Sequence, residues 1–213
     1  MNYELTLVLV IASAALLIAL PFILRRHRGL RDRETAGKLG YGFQGRIPAD
    51  FYLQLQAFEL LHGAQEQDVY NLLFRVEGNR QYAVFSVDVG HIHRETISRN
   101  LRVFFAAGED FTLPRFRLRP KNLGHRIDRE PDINFPQDPV FSRRFLLQGY
   151  PEEAVRAFFH PRLRGYLRTL REVELESRQN RLIVTHPRRI PISRLVREGE
   201  EIVRLIAEDP GIQ

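Results

Sequence analysis

An α+β chain is the expectation: an N-terminal transmembrane helix followed by one domain of antiparallel strands with C-terminal helices. Three observations predict it. Residues 5–24, LTLVLVIASAALLIALPFIL, carry no charge, and as a helix this run reaches about 30 Å, the thickness of a bilayer's hydrocarbon. Residues 68–120 alternate and favour Val, Phe, Tyr and Leu between turn residues, which is strand character. Residues 151–206 show helical apolar spacing, interrupted by a short β-patterned stretch.

The expected domain organisation is 1–24 as anchor, 25–48 as a basic juxtamembrane segment and flexible linker, and 49–213 as the folded domain. Arg25, Arg26, Arg28, Arg31 and Arg33 follow the apolar run in RRHRGLRDR. By the positive-inside rule this cluster stays cytoplasmic. The predicted location is therefore the bacterial inner membrane, single-pass, with the N-terminus outside and the domain inside. Met1–Glu4 lacks the basic residues of a signal peptide. Each of the five arginines is lipid-proximal on this reading and attracts anionic headgroups by about 1 kcal/mol. Ala12, Ala15 and Ala19 lie close to one face of the run, a spacing that permits helix–helix approach and leaves a homo-oligomer open. Glycines at 29, 37, 40, 42 and 45 predict a tether up to Pro48.

Within the domain, Phe51–Leu61 reads as a strand or a short helix. Asp68–Val76 and Arg80–Val89 form a hairpin about Glu77-Gly78-Asn79, and His93–Ala106 is the next strand. In Phe111–Lys121 the pattern from Arg115 onward alternates. Arg115, Arg117 and Arg119 take one face, with Phe116 and Leu118 on the other. Pro114 and Pro120 suggest an edge strand, because neither can donate to a ladder. Residues 126–139 read as a connection with an extended piece at Ile133–Phe135, and Phe141–Leu147 as a strand. Pro151-Glu152-Glu153 opens a helix, Pro161 a second, Val173–Glu176 and Leu182–Thr185 a second hairpin, and Ser193 caps the last helix.

The charge balance constrains partners. The chain holds 32 basic and 26 acidic residues, a net +6. Half of that excess falls before residue 34, so the domain lacks the concentrated charge of a dedicated nucleic-acid binder. The absence of cysteine excludes disulfides and thiolate zinc sites.

The segments FTLPRFRLRPK, FSRRFLLQG and PEEAVRAFF, together with Tyr70-Asn71-Leu72 and the hairpin ending in Phe85, resemble a family of bacterial single-span membrane-anchored proteins of unknown function. Lys121 stands where that family commonly has an acidic residue after Arg-Pro, and Ser86-Val87 where it tends to have Asp-Tyr. The resemblance implies an anchored domain and no activity.

No phosphate-binding glycine loop, nucleophile elbow or metalloprotease motif occurs, so enzyme chemistry is disfavoured and no cofactor is expected. The ligand-like exception is His91-x-His93-x-Glu95, whose side chains would share a strand face in a spacing suited to zinc. Asp132 and Asp138, beside prolines, read as turn formers. The leading expectation is a membrane-anchored, non-catalytic domain for protein or membrane-surface interaction, with Arg115, Arg117 and Arg119 as contact row. Protection of an edge strand is by itself a sufficient reason for those arginines. The alternative is a metal-dependent enzyme using His91, His93 and Glu95.

Overall fold

The computed structural model describes residues 29–89, 99–121 and 131–208. Eight strands form one antiparallel sheet in the order β1-β2-β3-β4-β8-β7-β5-β6. They are β1 (Gly42–Arg46), β2 (Val69–Glu77), β3 (Arg80–Val89), β4 (Arg99–Gly108), β5 (Arg115–Pro120), β6 (Phe145–Tyr150), β7 (Glu174–Arg178) and β8 (Arg181–Thr185). Helices are α1 (residues 29–39), α2 (Ala49–Leu55), α3 (Pro139–Arg144), α4 (Glu152–Phe158), α5 (Pro161–Thr169) and α6 (Ile192–Ala207).

The expected fold class is corrected. Among the described residues no helix is long and apolar enough to cross a membrane, and the run 5–24 lies outside them. The helices are not gathered at the C-terminus either, since α1, α2 and α3 are interleaved with strands. The physical reason is that a sheet with two apolar faces needs cover on both. α1 and β1 also occupy part of the stretch expected as a linker: Ala36 and Tyr41 pack into the core, which overrides the local glycines.

One register row shows how the sheet is assembled. Phe43, Leu73, Val84, Phe104, Val184, Leu175, Leu118 and Leu147 follow one another across all eight strands. All face the main core, which α1 and α3–α6 close with Phe141, Phe158, Phe159, Leu163, Leu195 and Ile202. α6 comes closest to the sheet: a Cβ at Gly199 would lie 2.4 Å from the Phe104 ring. A glycine that weakens the helix locally therefore lets it pack tightly on β4.

The adjacent row lies on the other face and changes character midway. Ala83, Phe105 and Ile183 are apolar and sit under α2 and the 3-10 turn Glu59–Leu61, with Leu55, Phe58 and Leu61. From β7 outward the row continues as Glu176, Arg117 and Gln148. This polar half of the second face carries the arginine row singled out in the sequence.

β5 is an interior strand, paired with β7 and β6, and not an edge. Pro120 is the strand's last residue and lies beyond the β7 pairing, which ends at Leu118, so its missing N–H removes little. Phe141–Leu147 begins as α3, because Asp138 accepts the Phe141 N–H at 3.2 Å and Pro139 occupies the first helical position. Ser193 lies inside α6 rather than capping it; Pro191 holds the N-cap position.

Candidate interaction surfaces

Arg115, Arg117 and Arg119 do share one face, opposite Phe116 and Leu118 in the core. Arg115 and Arg117 meet at one carboxylate within the fold. The Glu59 carboxylate receives Arg115 and Arg117, each at 3.4 Å, and Arg178 as well. Burial alone would raise the Glu59 pKa, but Arg178, Arg117 and Arg115 together hold it below the ordinary carboxylate range. Arg119 is only 9% exposed. Below Glu59, Glu176 is 1% exposed and accepts the backbone N–H groups of Glu59 and Leu60 at 2.8 and 2.9 Å, with Arg178 at 3.0 Å. The row thus clamps the 3-10 turn to β5 and β7. Glu59 and Glu176 were not legible as its partners, because they stand more than fifty residues away in sequence.

His91, His93 and Glu95 lie outside the described residues. Among the described residues no group of three His, Cys, Asp or Glu could hold a metal ion. Asp138, expected as a turn former, caps α3 and also receives Arg164 and Arg168, both at 3.2 Å. Asp132 pairs with Lys121 at 2.5 Å and accepts the Leu147 N–H at 3.2 Å.

Of the five lipid-proximal arginines, Arg25, Arg26 and Arg28 lie outside the described residues, whereas Arg31 and Arg33 are exposed on α1. α1 is fixed to one end of the sheet through buried Asp32, which takes Arg102 at 2.8 Å and the Asn71 amide at 3.0 Å. Asn71 has φ 54°, where the β2–β3 register shifts. Arg102 also donates to the Ile190 carbonyl at 3.0 Å, and Arg189 donates to Asn100. The 186–190 connection is thereby seated on the same end.

His186 in that connection is buried between two acceptors, the Arg171 carbonyl at 2.9 Å and Glu198 at 2.7 Å. A carbonyl can only accept, so Nδ1 carries a proton. Arg194 approaches the other Glu198 oxygen at 2.7 Å. Although burial opposes its charge, His186 and Arg194 hold the Glu198 carboxyl below its ordinary range.

Arg144 extends the chain of contacts by donating to the Arg168 and Leu170 carbonyls at the end of α5. A separate groove of about 610 Å³ runs between α1, α5 and α6, lined by Leu39, Tyr166, Val196, Arg197 and Glu201. Burial, and then the charges of Glu198 and Glu201, push the Tyr166 hydroxyl up to about 12.

No family model matches the chain, and no curated protein matches it. Among solved structures, it is similar to the crystal structure of the mycobacterial trehalose monomycolate transport factor A, TtfA. The TM-score is 0.58 at 16% identity, over 83% of this chain and 94% of that one. At that identity the likeness establishes a shared fold.

Proposed function

We propose that this chain is a membrane-associated, non-catalytic interaction domain serving a transport system, acting at the cytoplasmic face of a bacterial inner membrane. The observation that carries the reading is the fold held in common with a transport factor over nearly the whole of that factor's chain. The apolar run at 5–24 and its trailing arginines favour a membrane address. Arg115, Arg117 and Arg119 act in this reading as an internal clamp, and the contacts with partners fall elsewhere on the surface.

The test is in-cell photocrosslinking from exposed Leu53 and Val76, followed by membrane fractionation. The expected result is that the chain sediments with membranes and crosslinks to an integral transport protein. Recovery in the soluble fraction, or crosslinks confined to soluble proteins, overturns the proposal.

A further inference from the structure

One end of the sheet carries a basic band on its helix-covered side. Strand directions bring the end of β5, the start of β6, the start of β7 and the end of β8 to this end, together with the first described residues of α1. The C-termini of α3 and α5 arrive there too, joined by Arg144. Around this rim stand exposed Arg31, Arg33, Arg143, Arg171 and Arg188. Arg188 is 86% exposed and faces Glu172 at 3.6 Å; the other four have no acidic partner among the described residues. The nearby acids are already paired: Asp132 and Asp138 are largely covered, exposed Glu34 holds Lys38, and exposed Glu172 faces Arg188.

The opposite end differs in kind. Exposed Glu77, Glu109, Glu152 and Glu153 intermix there with Arg80, Arg156, Arg162 and Arg181, so neither sign dominates. Within the basic end, Asp50, Glu66 and Asp68 occupy the β1–β2 corner on the other face. The positive surface is therefore confined to the helix-covered side, and its orientation is defined.

We propose that this rim, through Arg143, Arg171 and Arg188 continued by Arg31 and Arg33, docks the domain on an anionic lipid surface. The inference rests on the membrane reading above and names its contact. Lipid is favoured over nucleic acid because the longest apolar run of the sequence, with Arg25, Arg26 and Arg28, leads directly into α1 at this end. Arginines gathered on one side give a surface on which each contributes about 1 kcal/mol, roughly fivefold in affinity, near anionic headgroups. Among the described residues no exposed aromatic row accompanies them, as single-stranded nucleic acid would require.

The test uses full-length protein reconstituted in vesicles of phosphatidylcholine alone or with phosphatidylglycerol. Because the chain has no cysteine, a fluorophore can be placed singly at Thr169→Cys on the rim or at Asn79→Cys at the opposite end. Headgroup-labelled quencher lipid reports proximity. The expected result is severalfold stronger quenching at 169 than at 79 in anionic vesicles, abolished by high salt and by Arg143→Glu with Arg171→Glu and Arg188→Glu. Each single Arg→Gln change, which leaves the fold untouched, lowers the difference partially.

Equal quenching at the two sites in anionic vesicles overturns the proposal, as does a rim contact that survives the charge reversals. Selective loss of duplex DNA binding in the same variants, without a lipid response, reassigns the band to nucleic acid. The vesicles contain no protein partner, so a lipid response without transport-protein crosslinks sinks only the functional reading. The reverse pattern sinks only this one.

Discussion

Glu176→Gln is the substitution that most directly tests the internal role of the arginine face. The native carboxylate uses both oxygens, one to the Glu59 N–H at 2.8 Å and one to the Leu60 N–H at 2.9 Å, and it neutralises Arg178. Glutamine keeps the shape but offers one oxygen, so one of the two backbone N–H groups must face an amide NH₂. A hydrogen bond to a charged group contributes about 1.5–3 kcal/mol, and stranding a buried donor costs about 1–3 kcal/mol. The replacement should therefore cost about 3 kcal/mol. Glu59 is the control: its side chain is 52% exposed, and ion pairs at such exposure contribute about 0–1 kcal/mol. Urea titration of both variants in the same detergent, read by far-UV circular dichroism, should place Glu176→Gln well below wild type and Glu59→Gln close to it. Equal losses, or a larger loss at Glu59, would refute the claim that the buried carboxylate holds the 3-10 turn on the sheet.

Three further outcomes follow from the packing. Gly199→Ala should lower stability by about 1 kcal/mol net. Overpacking against the fully buried Phe104 costs about 1–3 kcal/mol, which exceeds the helix-propensity gain of about 1 kcal/mol, and thermal melts will show the net sign. Gly149→Ala should loosen β6, since its Cβ would lie 2.5 Å from the Arg115 carbonyl; faster hydrogen exchange at Leu147 and Gln148 relative to β3 would report it. Glu198 has a folded-state pKa below its ordinary value of 4.5. Its charge therefore contributes stability above that value, lost as pH falls through the lower folded pKa. The stability gap between wild type and Glu198→Gln should shrink as pH falls below about 4.5, and a gap that widened on acidification below that value would contradict the assignment.

Particular elements show how far the sequence could be read. The β2–β3 hairpin about Gly78 and the β7–β8 hairpin were legible because their ladders are local and β2, β3 and β8 are rich in β-branched or aromatic residues. β5 was legible as a strand with arginines on one side, yet its place in the sheet was not. Edge and interior positions differ in which strands pair, and β5 joins β7 from a point more than fifty residues along the chain. α1 and β1 were hidden under glycines that locally favour a tether, and only the packing of Ala36 and Tyr41 against the core reveals them. In the basic rim, Arg31 and Arg33 could be named in advance. Arg143, Arg171 and Arg188 could not, being brought together at the ends of α3, α5 and β8.

What the sequence determined by itself is local: charge-free and charge-rich stretches, strand alternation, helix openings at Pro151 and Pro161, and the absence of thiol chemistry. Each depends on neighbours within a few residues, whose spacing the chain itself sets. The tertiary structure alone decided the strand order, the change of the second face from apolar to polar at β7, and the engagement of Arg115 and Arg117 by Glu59. Those features arise from contacts between segments far apart in sequence. An arginine's alternation looks the same whether its charge meets solvent, lipid or a carboxylate delivered by another part of the fold.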